Sequence, residues 1–152
     1  MTTFQRETFD EAYPDAGPLL LKHWAEISSN PDELEVDTEA YRQCEKLGML
    51  RVYTARNEGL LVGYTAMFVH KGLHYRQSVQ AIQDVFYVDP SRRGRMLGKI
   101  LLNFADNQLF NEGVSIIYRS NKVQHPTLGK LLAHEGYASI ENVYQRRVTQ
   151  ND

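Results

Sequence analysis

The densest chemistry in this sequence lies in Asp89-Pro90-Ser91-Arg92-Arg93-Gly94-Arg95-Met96-Leu97-Gly98-Lys99. Arg92, Arg93, Arg95 and Lys99 put four positive charges within eight residues of a chain whose formal net charge is −2. The segment runs into an amphipathic helical pattern. A helix N-terminus presents unpaired N–H groups and the positive end of the macrodipole, which suits a phosphate. Gly94 and Gly98 let the main chain approach a ligand or a neighbouring strand. A pyrophosphate is the guest this chemistry suits. The other reading is a solvated basic turn that caps a helix.

The elements that must position this loop follow from the flanking patterns. Val79 to Val88 reads as a long strand that Asp89-Pro90 closes. Leu97, Ile100, Leu101, Phe104, Ala105 and Leu109 form one apolar stripe, so residues 97–112 read as a helix ended by Gly113. Upstream, apolar spacing over 17–29 predicts a first helix stopped at Asn30-Pro31. Thr38 can cap a second over 38–47. LRVYTAR and LLVGYTAMFV, joined through Asn57-Glu58-Gly59, carry a hairpin signal, and HKGLHYRQ reads as a loop. Then VSIIY reads as a short buried strand, PTLGKLLAHEG as a helix and YASIENVYQRRV as one or two closing strands. The order ααβββαβαβ(β) implies an α/β fold with a mixed central sheet and helices on both faces.

Composition narrows the class. At 152 residues, 42% apolar and 24% charged, the sequence has the length and make-up of one globular domain, taken as 1–152. The slight acidity opposes a nucleic-acid binder driven by bulk phosphate contacts. One cysteine, Cys44, excludes an intramolecular disulfide and a multi-cysteine zinc site. It reads as a small apolar residue in a helix. No apolar stretch suits a membrane span and the acidic start has no signal-peptide core, so a cytoplasmic setting is expected.

The segment DVFYVDPSRRGRMLGKILL resembles the pyrophosphate-binding motif of GNAT N-acetyltransferases, Gln/Arg-x-x-Gly-x-Gly/Ala. Arg93 takes the first position and Gly98 the last, while Met96 stands where the family has its middle glycine. NKVQHPTLGKLLAHEGY is similar to the family's later Asn-helix-Gly-aromatic segment. The Lys122 to Gly129 stretch is similar to that of small bacterial or bacteriophage members.

The resemblance implies a single-domain GNAT fold whose long strand splays from VSIIY, with acetyl-CoA as co-substrate, a primary amine as acceptor and no metal. Phe86, Tyr87 and Val88 would then contact the pantetheine arm. The N–H groups from Arg93 through Gly94, Arg95, Met96 and Leu97 to Gly98, with Lys99 beside them, would hold the pyrophosphate, and Asn121 would touch the CoA arm. Asp84 resembles the carboxylate that many members use as base. Strand alternation supports this, because Asp84 interrupts a row of Ile82, Phe86 and Val88, and apolar neighbours raise a carboxyl pKa. The other reading pairs Asp84 with an arginine or a loop cap. The family's acid tyrosine would fall at Leu132, so Tyr118 and His125 are the substitutes by chemistry.

His70 and His74 read as a base, acceptor contacts or solvated loop residues; His23 and Trp24 read as packing. Tyr144 reads as facing either the acceptor pocket or a sheet face, and Glu33, Glu35, Asp37 and Glu39 hint at a cationic acceptor, acidic runs being otherwise solvated faces. The family also implies a possible homodimer through its late strands. Two functions compete: an active N-acetyltransferase, or a catalytically silent GNAT-fold CoA-binding or interaction protein, for which Met96 and Leu132 speak.

Overall fold

Residues 1–28, 33–94 and 96–148 are described in the computed structural model. The expected helix stop at Asn30-Pro31 lies outside them, as does Arg95 of the basic loop. Five strands form one mixed sheet: β1 (Thr2–Glu7), β2 (Leu50–Asn57), β3 (Leu60–Lys71), β4 (Val79–Val88) and β5 (Ile116–Tyr118), in that spatial order. The first three pairings are antiparallel and β4 to β5 is parallel. Helices α1 (Phe9–Ile27) and α2 (Thr38–Lys46) cover one face. Helix α3 (Leu97–Asn111) covers the other, with α4 (Thr127–His134) against its start.

Four readings of the sequence are corrected. The acidic start is an edge strand, β1, held by Glu7, whose carboxylate receives Arg56 Nε and Nη2 at 2.9 Å each. Helix α1 begins at Phe9 rather than residue 17. Thr8 and Glu11 form a reciprocal capping box, and Pro14 and Pro18 lie inside the helix. A helix-interior proline costs about 3 kcal/mol. The stripe Phe9, Ala12, Tyr13, Ala16, Leu19, Leu20 and His23, buried or packed against the sheet, offsets it.

The expected closing strands are not formed among the described residues. Residues 137–148 have no regular structure, and Ile140, Val143, Tyr144 and Val148 are exposed. Alternation makes a strand only where a sheet edge can pair it, and β5 offers just Ile116–Tyr118. His70, expected in a loop, belongs to β3. The hairpin is as expected: Glu58 (φ 51°) and Gly59 (φ 80°) form the positive-φ pair of a two-residue turn.

His23 is the buried titratable group of this packing. It is 5% exposed, its ring centroid lies 4.9 Å from that of Tyr87, and its Nδ1 is 3.5 Å from the Tyr64 hydroxyl. Burial, against the opposing pull of Glu26, pushes its pKa down to about 4. The neutral ring therefore stabilises the fold fully above the ordinary histidine pKa, and that stability is lost as pH falls from 6.5 to about 4. The loss should reach about 3 kcal/mol. Urea titrations of the parent and His23→Phe should diverge across that interval; parallel pH profiles would show that His23 does not titrate on unfolding.

Candidate active site

The site is organised by an extra residue in β4. Ala66 pairs with Val85 but the next residue, Met67, pairs with Gln83, so Asp84 is a β-bulge. The side-chain alternation therefore switches sides. Val79, Ala81, Phe86 and Val88 pack towards α3, whereas Val85 and Tyr87 pack towards α1. The row of Ile82, Asp84, Phe86 and Val88 expected on one face is thus corrected: Asp84 faces the α1–α2 side and Phe86 and Val88 the opposite one.

On that side Asp84 Oδ2 accepts a hydrogen bond from the Tyr41 hydroxyl of α2 at 2.6 Å. Its partner is a neutral phenol and not an arginine. Phe9 lies stacked between Tyr13 (centroids 4.9 Å) and Tyr41 (5.2 Å), and these rings bound a cavity that Asp84 also lines. Burial holds the Asp84 carboxyl above the ordinary range, and the Tyr41 bond opposes the rise. A carboxylate poised in this way can take a proton from an amine.

Just before the bulge, β4 leaves its neighbour. Parallel pairing covers Gln80, Ala81 and Ile82 against Ile116, Ile117 and Tyr118, and Gln83 Nε2 then donates to Ser120 O at 2.9 Å. Arg119 fills the fork. Its side chain is fully buried, bonded to Asp106 Oδ1 (2.9 Å) and Thr65 Oγ1 (3.2 Å), with its guanidinium 5.6 Å from the Phe86 ring centroid. Tyr137 donates to the other Asp106 oxygen at 2.6 Å. Phe86, Tyr87 and Val88 lie beyond the last β5 pair, so their backbone edge faces the cleft. The Tyr87 ring itself turns towards His23, and its hydroxyl is buried without a hydrogen-bond partner among the described residues.

The loop after β4 begins with Asp89, whose Oδ1 accepts from the Ser91 N–H and hydroxyl at 2.9 and 2.6 Å. Arg93, expected to serve a phosphate, is turned away. Its guanidinium is bidentate to Glu26 of α1 (2.6 and 2.8 Å), its Nε donates to Val88 O, and its N–H goes to Pro90 O. Gly94 has φ 82° and Met96 φ 64°, so Met96 adopts the left-handed backbone that the family's glycine would permit. Met96 is the N-cap of α3 and supplies no side-chain cap; the first intrahelical bond runs from the Ile100 N–H to Met96 O. The N–H groups of Leu97, Gly98 and Lys99 thus precede that bond and point out of the helix end. Leu97 is buried, Lys99 Nζ lies 4.0 Å from Glu135, and a Cβ on Gly98 would meet Leu131 and Val88 in ordinary contact.

The remaining candidates lie on β5 or after it in the chain. Tyr118 sits across from Ile82 at the fork. Asn121 is exposed and packed on Gly129, where a Cβ would lie 2.7 Å from its Oδ1. His125 is half-buried, and its electrostatic neighbour is Glu26 rather than Asp84. Tyr144 is exposed and does not line the cavity. Sequence reasoning missed Tyr41, Glu26 and Arg119, whose roles depend on partners 43, 67 and 13 positions away. An aromatic hydroxyl on the apolar side of α2 was the only local signal for Tyr41.

A sequence profile of the acetyltransferase (GNAT) family matches residues 4–129. The chain belongs to the GNAT acetyltransferase family, whose chemistry is acyl transfer. A search of curated proteins finds no match. Among solved structures it is similar to a ribosomal-protein-alanine N-acetyltransferase from Brucella melitensis biovar Abortus 2308, at 17% identity and TM-score 0.76 over 97% of this chain and 99% of that one. It is also similar to the aminoglycoside acetyltransferase meta-AAC0020 from an uncultured soil metagenomic sample (13%, TM-score 0.77, 99% and 97%). A third is a predicted acetyltransferase with acetyl-CoA from Clostridium acetobutylicum (12%, TM-score 0.72, 97% and 96%). At these identities the likeness is one of fold.

Two costs are measurable. Left-handed backbone costs a non-glycine residue about 1–2 kcal/mol, and glycine returns about half of that as entropy, so Met96→Gly should stabilise by about 0.5–1 kcal/mol. Because the folded Asp84 pKa is raised, ionising Asp84 opposes folding, and stability is lost as pH rises through the folded value. Asp84→Asn should therefore raise the Tm at pH 8, with the gain vanishing below the ordinary aspartate range. A Tm that falls at pH 8 would mean the ionised carboxylate supports the fold.

Proposed function

We propose that this chain is an N-acetyltransferase that moves the acetyl group of acetyl-CoA to a primary amine by direct attack in a ternary complex, with residues 1–152 acting as one domain in a cytoplasmic setting. The observation that carries the reading is the placement of Asp84. A half-buried carboxylate with a raised pKa sits on a bulge immediately before the strand edge that faces the cleft, and the helix N-terminus follows.

Acetyl-CoA is a substrate here, and the residues fit it. The backbone of Phe86 to Val88 offers the amide-like pantetheine arm a strand edge. The N–H groups at the start of α3 offer the pyrophosphate donors and the positive end of the macrodipole. Arg93 organises this loop through Glu26 and Val88 O and leaves the phosphates to the backbone. Asn121 and Lys99 flank the same cleft.

Asp84 takes a proton from the bound ammonium, directly or through water. The neutral nitrogen then attacks the thioester carbonyl. As the tetrahedral adduct collapses, the new C–N bond remains and the C–S bond breaks; the nitrogen loses its second proton to water, and the departing thiolate takes a proton from Tyr118, His125 or solvent. Tyr41 tunes the base: its hydrogen bond favours the ionised carboxylate, so its loss raises the pKa.

The competing reading, a catalytically silent CoA-binding or interaction protein, draws on Met96. Met96 is 61% exposed, in the loop where backbone closeness matters most.

Calorimetry should show acetyl-CoA binding, tightened in Met96→Gly. Thiol release with a panel of amines should fall about 10²- to 10⁴-fold in Asp84→Asn. The acid limb of kcat/KM should move to higher pH in Tyr41→Phe. Binding without thiol release across the panel would favour the silent protein, and an Asp84→Asn rate equal to the parent would remove Asp84 as base.

A further inference from the structure

We infer that Arg119 is the spacer that holds β4 and β5 apart beyond Ile82 and Tyr118, and so a positioning residue for an acyl donor in the fork. The donor half of this rests on the acetyltransferase reading; the spacer half does not. In register, Gln83 and Arg119 are the next pair after Ile82 and Tyr118, and there the parallel ladder stops. The side chains of that pair take over. Gln83 Nε2 donates to Ser120 O at 2.9 Å, and Gln83 Oε1 accepts from Arg119 Nη1 at 3.3 Å. An amide side chain thus bridges the strands where main-chain bonds would continue a ladder. The N–H groups of Arg119, Ser120 and Asn121 have no partner among the described residues.

Arg119 is fastened from several sides. Its Nε and Nη2 donate to Asp106 of α3 (3.3 and 2.9 Å), and its Nη1 donates to Thr65 of β3 (3.2 Å) as well as to Gln83. The Thr65 hydroxyl donates onward to Val85 O at 2.8 Å, so the guanidinium also steadies β4 just past its bulge. Tyr137 holds the second Asp106 oxygen. The Phe86 ring, 5.6 Å from the guanidinium, starts the strand edge that would face a donor.

The Arg119 side chain has no exposure. Desolvation offsets most of the attraction in such a pair, so its net contribution to stability is small. What the planar guanidinium supplies is a set of fixed donor directions, which an apolar or flexible side chain does not. The bulge, the other irregularity nearby, lies in the pairing of β4 with β3 and leaves the β5 side of Gln83 to be filled.

Hydrogen exchange on the full chain tests the spacer without any ligand. Asp106→Leu/Arg119→Met/Tyr137→Phe replaces the network by apolar groups, a change that buried ion pairs tolerate, so its Tm should lie close to the parent's. With the spacer gone the ladder should run on, and the amides of residues 119–121 should exchange at least about tenfold more slowly. Arg119→Lys keeps a charge beside Asp106, but one ammonium cannot serve Thr65 and Gln83 as well, so the same amides should slow by about threefold. Exchange at 119–121 that is unchanged or faster in the triple variant, or in Arg119→Lys should the triple variant not fold, overturns the spacer and leaves the bulge as the cause of the fork. Calorimetry should show acetyl-CoA bound at least about tenfold more weakly by the triple variant, and thiol release should lose about 10²-fold in kcat/KM, the cost of misplacing a reactant by an ångström. Slowed exchange with acetyl-CoA bound as tightly as by the parent overturns the positioning role. Slowed exchange where the parent itself binds no acetyl-CoA leaves the spacer standing and sinks the transferase reading. Unchanged exchange with equal turnover of acetyl-CoA does the reverse.

Discussion

A strand that carries one residue more than its neighbour must change which face its side chains point to, and that constraint organises this molecule. Without the bulge at Asp84, the alternation through Ala81 and Gln83 would continue to Val85 and Tyr87 on the α3 side, and Asp84 would share the α1–α2 side with Phe86 and Val88. With it, Val85 and Tyr87 join the α1 side, Phe86 and Val88 fill the space beneath α3, and Asp84 stands beside the switch. The bulge lies between the parallel pairing that ends at Ile82 and the backbone edge that opens into the cleft. One local irregularity thus sets both the carboxylate and the cavity it lines beside the point where β4 parts from β5.

Charge is handled in a similar way. The basic loop looks in sequence like a cluster of free cations, yet Arg93 is committed to Glu26 and Val88 O, and Lys99 leans on Glu135. Arg119, buried in the fork, is matched by Asp106. A buried arginine paired in this way supplies shape and rigidity more than net stability. Unpaired N–H groups stand at the start of α3, where their direction is fixed by the helix.

Costly features gather in one region: a non-glycine residue at φ 64°, a helix end with no side-chain cap, a desolvated carboxylate and the orphaned Tyr87 hydroxyl. Elsewhere the conflicts are the two prolines inside α1, while the Thr8–Glu11 capping box and the Glu58-Gly59 turn follow local preference. A concentration of such conflicts around one strand-loop-helix is what a functional site built on a largely consistent scaffold looks like.

The sequence by itself determined the helices that bear an apolar stripe, the hairpin with its turn, the strand-loop-helix around Gly98 and the singling out of Asp84. Each of these rests on signals within a few residues: periodicity, caps and turn chemistry. Only the tertiary structure decided the rest. It made β1 a strand by giving it an edge to pair with and withheld one from residues 138–148. It carried α1 through two prolines because the sheet rewards its stripe. It also turned Arg93 away from the loop and brought Tyr41 to Asp84 across 43 positions. A bulge is defined by its partner strand, and an ion pair by where its two ends meet; neither exists until the chain has folded.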